Sequence, residues 1–421
     1  MTATVVAEAP SLWRNGDFLR FWAGETVSLV GTQVTNLALP LTAIYAFDAS
    51  DEQVGYLRFL QLAPYLGLAL VFGVWMDRVR RRPVMLAANV VRLVLLALIP
   101  ALYAADLLTL GLLLTIACAV GVASVMFDVS WMSYVPVLVR DPRLYVEAGA
   151  KMGISSSSAE VAGPGLAGLL VSALSAPIAL VVNAFGYLVS VLSLLLIRTP
   201  EPRPAPAAKR RLSTELRDGL RWVLGDPVLR WLAIIGVCCN FSMVGVWTMF
   251  LLYGARDLRL DSATIGSVLA TAAVGGLIGA VISRRVIRRF PIGRVYLVAQ
   301  SALLLGPTLI VVAAGPAMVA MFVLSFFTTY LGLGVAGVII VSLRQTATPQ
   351  SMMGRMTAVF RTLLFGGGAL GGLAAGQLAG ALGSHCGLAV LAVASGLVVF
   401  ALFISPVSRL RELPTAYVRS L

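Results

Sequence analysis

Twelve stretches of mostly apolar residues, each long enough to cross a bilayer as a helix, dominate this sequence. A membrane helix needs about 20 such residues. The spans read as 18–47, 53–76, 83–104, 107–134, 148–174 and 177–198 in the first half. The second half gives 228–254, 262–285, 292–314, 316–341, 355–382 and 386–405. Between them lie turn and charge signals such as Asp48 to Glu52, Arg80-Arg81-Arg82-Pro83, Arg140-Asp141-Pro142-Arg143 and Gly315-Pro316. A bilayer offers no water to backbone polar groups, so such spans must satisfy them internally as helices. The expected fold is therefore an all-α membrane protein. Composition agrees: 12% of residues are charged and 59% hydrophobic, against about 25% and 45–50% in soluble domains. Forty glycines are spread through the apolar runs, as membrane helices tolerate. A soluble enzyme, a nucleic-acid-binding domain and a disordered tail protein are excluded.

The net charge of +13 would suggest nucleic acid in a soluble chain. Placing each charge gives another meaning. With the N-terminus in the cytoplasm, 28 of the 32 basic residues fall on the cytoplasmic side, leaving Arg58, Arg92, Arg256 and Arg259 elsewhere. Positive charge retained in the cytoplasm sets topology, so both termini are expected inside a bacterial cytoplasmic membrane. One long polar break, Arg198 to Arg230, divides the helices six and six. It opens on a Pro-rich spacer, Thr199 to Pro206, and passes into an amphipathic helix through Leu216, Leu220, Val223 and Leu224, expected to lie on the membrane surface. The expected divisions are 1–198, a six-helix bundle; 199–227, the linker; 228–405, the second bundle; and 406–421, a cytoplasmic tail. Met1 to Pro10 lacks the basic start of a cleavable signal peptide. Cys118, Cys238, Cys239 and Cys386 have no metal spacing, and the single histidine, His385, falls at a Gly-Ser turn. No metal site, cofactor or enzyme activity is expected.

The halves echo each other. Gly73 to Arg82 closes the second helix, and Gly279 to Arg289 closes the eighth 206 residues later; Gly163 to Leu169 is matched by Gly367 to Leu373 at an offset of 204. Two six-helix repeats around a midplane cavity are a transporter architecture. The signatures Gly-x-x-x-Asp-Arg-x-x-Arg-Arg after helix two and Gly-Pro-x-x-Ala-Gly in helix five resemble the major facilitator superfamily. Asn36 to Pro40, Arg80 to Pro83, Tyr134-Val135-Pro136 and Gly354-Arg355 are similar to its bacterial macrolide and siderophore exporter branch. The resemblance implies a conformational latch at Gly73, Asp77, Arg78, Arg81 and Arg82, holding the halves together in the outward-facing state and breaking on inward opening. Asp77 at the C-terminal end of its own helix opposes that helix's dipole; facing the helix that starts near Arg355 would resolve this. Ser283 stands in for the acid in the second copy. Arginines that merely fix topology are the alternative. Gly163, Pro164 and Gly168 resemble the superfamily's antiporter motif, which implies a kinked seam favouring exchange; ordinary small-residue packing is the other reading. Many proton-coupled exporters carry an arginine four residues before the glycine of helix four, where this chain has Ala117 before Gly121.

Charges at mid-bilayer cost about 2.5–3.5 kcal/mol on insertion scales and default to function. The proton-coupling candidates are Glu25, Arg92, Asp128 and Glu160, all in the first half. Arg92 and Asp128 fall at similar depth and read as an ion pair, with Asp128 serving the arginines around Asp77 as the alternative, or as part of a proton path. Glu25 and Glu160 have no basic partner at their depth, and a desolvated, unpaired carboxylate can carry a proton or a cationic substrate. Polar and aromatic residues that could line a cavity are Gln33, Asn36, Gln61, Tyr65, Asn183, Tyr187, Asn240, Trp247, Tyr330 and Gln377; the alternative is helix–helix hydrogen bonding. The expected function is proton-driven export (antiport), by alternating access, of amphipathic small molecules such as antibiotics. A siderophore or peptide-like metabolite exporter is the alternative, with a membrane receptor or lipid scramblase behind it. The expected partners are protons, substrate and membrane lipid, without nucleic acid, and the chain is expected to act as a monomer.

Overall fold

The structure, a computed structural model, describes residues 12–76, 78–139, 141–202, 212–311, 317–349 and 352–412. It is helical, with no strand among these residues. The first half comprises α1 (Gly16–Phe47), α2 (Asp51–Leu62), α3 (Leu68–Met76), α4 (Arg81–Ala104), α5 (Leu110–Leu138), α6 (Tyr145–Leu174) and α7 (Ala176–Leu196). Helix α8 (Leu212–Gly225) follows the linker. The second half comprises α9 (Pro227–Leu252), α10 (Ser262–Arg289), α11 (Ile292–Leu305), α12 (Thr308–Val311), α13 (Met318–Thr346), α14 (Met353–Leu382) and α15 (Ser384–Ile404).

Eleven helical stretches among the described residues are long and apolar enough to cross a membrane. The expected second span, 53–76, is the exception, because it is not one helix. A 3-10 turn over Ala63–Leu66 and Gly67 divides it into α2 and α3. Pro64 lacks the amide that would continue the ladder, and the two pieces together still carry the chain across. Helix α11 is likewise followed by a Gly306-Pro307 interruption before α12.

Packing repeats between the halves. Helix α1 lies on α7 as α9 lies on α15, and α10 lies on α13 as α2 and α3 lie on α5. The halves meet along two seams, α6 against α10 and α14 against α2. Even a turn is duplicated: Ser175, between α6 and α7, has φ 78 and ψ 157, and Gly383, between α14 and α15, has φ 80 and ψ 157.

The apolar core is one body at one end of the molecule and two large bodies at the other, with a small cluster of Tyr65, Ala69 and Val125 packed on Phe365 between the halves. At the end bearing Phe47, Leu174, Leu252 and Leu382, a single cluster joins both halves, with Leu37, Leu57 and Leu180 continuous with Phe250, Leu269 and Phe322. At the arginine-rich end the cores are separate. One holds Phe18, Met85, Phe127 and Met152 from the first half; the other holds Val223, Leu232, Tyr296 and Phe360 from α8 and the second half. The single core depends on close helix approach. A Cβ on Gly168 would lie 2.9 Å from the Gly266 Cα, and one on Gly55 would lie 2.8 Å from the Gly376 Cα. Small residues at such crossings let backbones meet.

Candidate functional site

Where the single core divides, a cavity of ≈ 170 Å³ opens between the halves. Gln33, Asn36, Leu37, Arg58 and Pro164 line it from the first half; Asn240, Met243, Val244, Trp247, Leu269 and Tyr330 line it from the second. Helix α1 supplies Gln33 and Asn36 one turn apart, and α9 supplies Asn240, Met243, Val244 and Trp247 at the spacing that puts side chains on one helix face. The Asn240 amide donates to the Gly236 carbonyl at 3.1 Å, which fixes its orientation. Mixed amide and aromatic walls of this kind suit a molecule with an apolar body and few polar groups.

Of the expected cavity residues, Gln33, Asn36, Asn240, Trp247 and Tyr330 do line it, whereas the others serve elsewhere. Gln61 stands behind the wall and accepts from the Arg58 guanidinium at 3.0 Å. Asn183 is buried and donates to Thr35 at 2.7 Å, joining α7 to α1. Tyr187 packs under Arg92, with ring and guanidinium 4.3 Å apart. Gln377 is exposed. Tyr65 stacks on Phe365 of the other half at 4.2 Å and donates to Asp128 at 2.7 Å.

The expected Arg92–Asp128 pairing is replaced by a different one. Asp128 forms an ion pair at 2.8 Å with Arg361 of α14, across the seam. Arg92 sits over Phe127 at 4.3 Å and donates to Asn89. The reason is angular. Successive residues on a helix diverge by about 100°, so Phe127 faces α4 while Asp128 faces the other half. Glu25 is buried, and its Oε2 has no hydrogen-bond partner. The charge of Arg92 acts on it, so it is not as isolated from basic groups as the sequence implied. Glu160 is exposed, not buried, and accepts from Ser156 at 3.3 Å. It lies at the middle of α6; Gly149 and Gly153, nearer the arginine-rich end of that helix, have open space around them.

Asp77 lies outside the described residues. Around it, α3 meets both α8 and α14, and Arg355 at the start of α14 pairs with Asp218 of α8 at 3.8 Å. Gly73 faces open space and Arg78 is exposed. Arg81 and Arg82 have partners in the linker and in their own half, not across the seam. The Glu201 carboxylate accepts from both their amides, at 2.6 and 3.0 Å, and so caps α4 at its N-terminus. The Arg82 side chain donates to the Leu194 and Leu195 carbonyls at the end of α7. In the other motif, Gly163 packs on Gln33, Pro164 lines the cavity and Gly168 makes the close crossing with α10.

Two arginines stand out only in the structure: Arg361, which pairs with Asp128 across the seam, and Arg58, which lines the cavity and is marked in the sequence only as one of four basic residues off the cytoplasmic side. For Arg58 the available signal was its polar neighbour Gln61 one turn away inside an apolar span.

The sequence profile described as Major Facilitator Superfamily matches residues 21–372. The chain is 27% identical over 406 residues to the protein named Multidrug efflux pump Tap of Mycolicibacterium fortuitum, covering 92% of this chain and 94% of that protein. It is 26% identical over 362 residues to Enterobactin exporter EntS of Salmonella typhimurium (84% and 83% covered). Among solved structures, that of nucleoside transporter NupG superposes with a TM-score of 0.73 at 13% identity, over 93% of this chain and 99% of that one.

Proposed function

The chain belongs to the Major Facilitator Superfamily, and from that premise we propose that it is a proton-coupled exporter of amphipathic small molecules such as antibiotics, working by alternating access. It is a multi-pass membrane protein. Its arginine-rich end faces the cytoplasm of a bacterial cell, by the retention of positive charge on that side, and both termini lie there. A monomer suffices, since the cavity is built within one chain. The observation that carries the reading is the position of that cavity: it takes side chains from both halves where one shared core gives way to two. Rocking the halves about such a point would expose it to one side and then the other. The similarity to a multidrug efflux pump supports the direction and the substrate class.

Glu25 is the proton carrier in this reading, because it is buried with an unpartnered carboxylate oxygen beside a cation that is not its salt-bridge partner. Inverted membrane vesicles with an imposed pH gradient test it, using a panel of lipophilic antibiotics. The wild type should concentrate substrate, while Glu25→Gln should only equilibrate it. Concentration by Glu25→Gln at the wild-type rate would remove Glu25 from the mechanism. Export of a siderophore or peptide-like metabolite is the second reading, favoured by the similarity to an enterobactin exporter. Competition between such compounds and the antibiotics in the same vesicles separates the two.

A further inference from the structure

Arg58 is the one charged side chain among the eleven residues that line the cavity. Its guanidinium carbon lies 4.5 Å from the centre of the Trp247 ring, and one nitrogen donates to Gln61 at 3.0 Å. Its Nε is buried with no hydrogen-bond partner. Other arginines at the seams are neutralised: Arg361 by Asp128 and Arg256 by Asp51. No described carboxylate pairs with Arg58. Glu160 acts electrostatically on Tyr330, as Arg58 does, but it is outside the lining and bonded to Ser156. An arginine held inside a membrane span without a counter-charge is costly, and such groups mark substrate pathways.

The surroundings hold this charge in place. A Cβ on Gly372 of α14 would lie 2.7 Å from the Arg58 Cγ, so the glycine leaves a channel through which the stem crosses the seam. The guanidinium thus starts in the first half and rests on an aromatic ring of the second. A planar fork of donors stacked on a ring, with an unpartnered Nε, on a residue that lines a cavity, is an arrangement suited to a carboxylate.

We propose that Arg58 anchors the acidic group of the transported molecule, and that the cavity selects amphipathic organic anions. The carboxylate or phenolate sits on the Arg58 guanidinium, and the apolar body lies against Trp247, Val244 and Leu269. This narrows the substrate class and rests on the exporter reading. A bound anion would tie the guanidinium of one half to the cavity wall of the other, so occupancy would bridge the parts that must move.

The test compares fusidic acid with its methyl ester, which keeps the steroid body and removes the charge, and with tetraphenylphosphonium, a lipophilic cation. Binding is measured to full-length protein in phosphatidylcholine nanodiscs, free of anionic lipid, and transport is measured in vesicles. The acid should bind about tenfold or more tightly than the ester, the scale of a charge-assisted hydrogen-bonded pair. Arg58→Gln should erase that ratio, and Arg58→Lys should restore part of it. Equal or tighter binding of the cation by wild type, binding of none of the three, or a ratio unchanged in Arg58→Gln overturns the proposal. The wild-type comparison stands even if a variant does not fold. Selective binding without transport leaves the anchor intact and sinks the exporter reading; transport of ester and cation but not acid does the reverse.

Discussion

Phe127 and Asp128, adjacent on α5, look in different directions. One carries Arg92 on its ring, and the other reaches into the opposite half to pair with Arg361. The sequence marked Arg92 and Asp128 as unusual because apolar spans contain so few charges. It could not pair them, since depth along an axis does not fix direction around it. Both partners of the Asp128–Arg361 pair are about a quarter exposed, at 28% and 23%, so water screens part of the attraction. Removing only the acid strands the guanidinium. Asp128→Asn should therefore lower the thermal midpoint in detergent, by the equivalent of about 1–2 kcal/mol. The double variant Asp128→Asn with Arg361→Gln should be less destabilised than the two single effects added together. Simple additivity in a double-mutant cycle would show that the two residues do not interact.

At the scale of elements, periodicity and length revealed most of the helices, because a span of twenty apolar residues has few alternatives in a bilayer. What they did not reveal was the break between α2 and α3, although Pro64 and Gly67 were in view. No charged residue interrupts Leu60 to Val74, and the apolar pattern outweighed the turn chemistry. Caps formed by distant carboxylates were equally hidden. Glu201 reaches the first turn of α4 from more than a hundred residues away. Glu201→Ala should cost about 1 kcal/mol through the loss of that cap, read as a fall in the thermal midpoint with little change in substrate affinity. Ser175 makes the opposite case. It holds the backbone region that is almost glycine's alone, whereas its counterpart at Gly383 has the residue suited to it. Such a conformation costs of order 1–3 kcal/mol for a side-chain-bearing residue. Ser175→Gly should raise the thermal midpoint, and a fall would mean that the serine has contacts worth more than the strain.

Across the whole molecule, the twofold echo in the sequence emerged as repeated packing, but the state of the molecule did not. Residue types do not say which end of a seam is shut. Labelling can. Native Cys386 is exposed at the end where the cores are fused, and Ser157 is exposed on α6 toward the arginine-rich end. In intact cells a membrane-impermeant maleimide should modify Cys386, with Cys386→Ser as the control. A cysteine placed at Ser157 in that background should stay unmodified until the cells are opened. Labelling of Ser157→Cys from outside would reverse the proposed sidedness.

The fused core has a mechanical consequence. Opening the far end requires Leu57, Phe250 and their neighbours to part, and at about 25 cal/mol per Å² of apolar surface exposed that step is uphill. Separating the arginine-rich ends parts less apolar surface: the two large cores there are already apart, and what joins the halves is the small cluster of Tyr65, Val125 and Phe365 with the Asp128–Arg361 pair. With the proposed sidedness and direction of transport, the larger apolar barrier stands between the cavity and the outer medium. On the proposed reading the packing of its own helices would make it a check valve, biased against backflow.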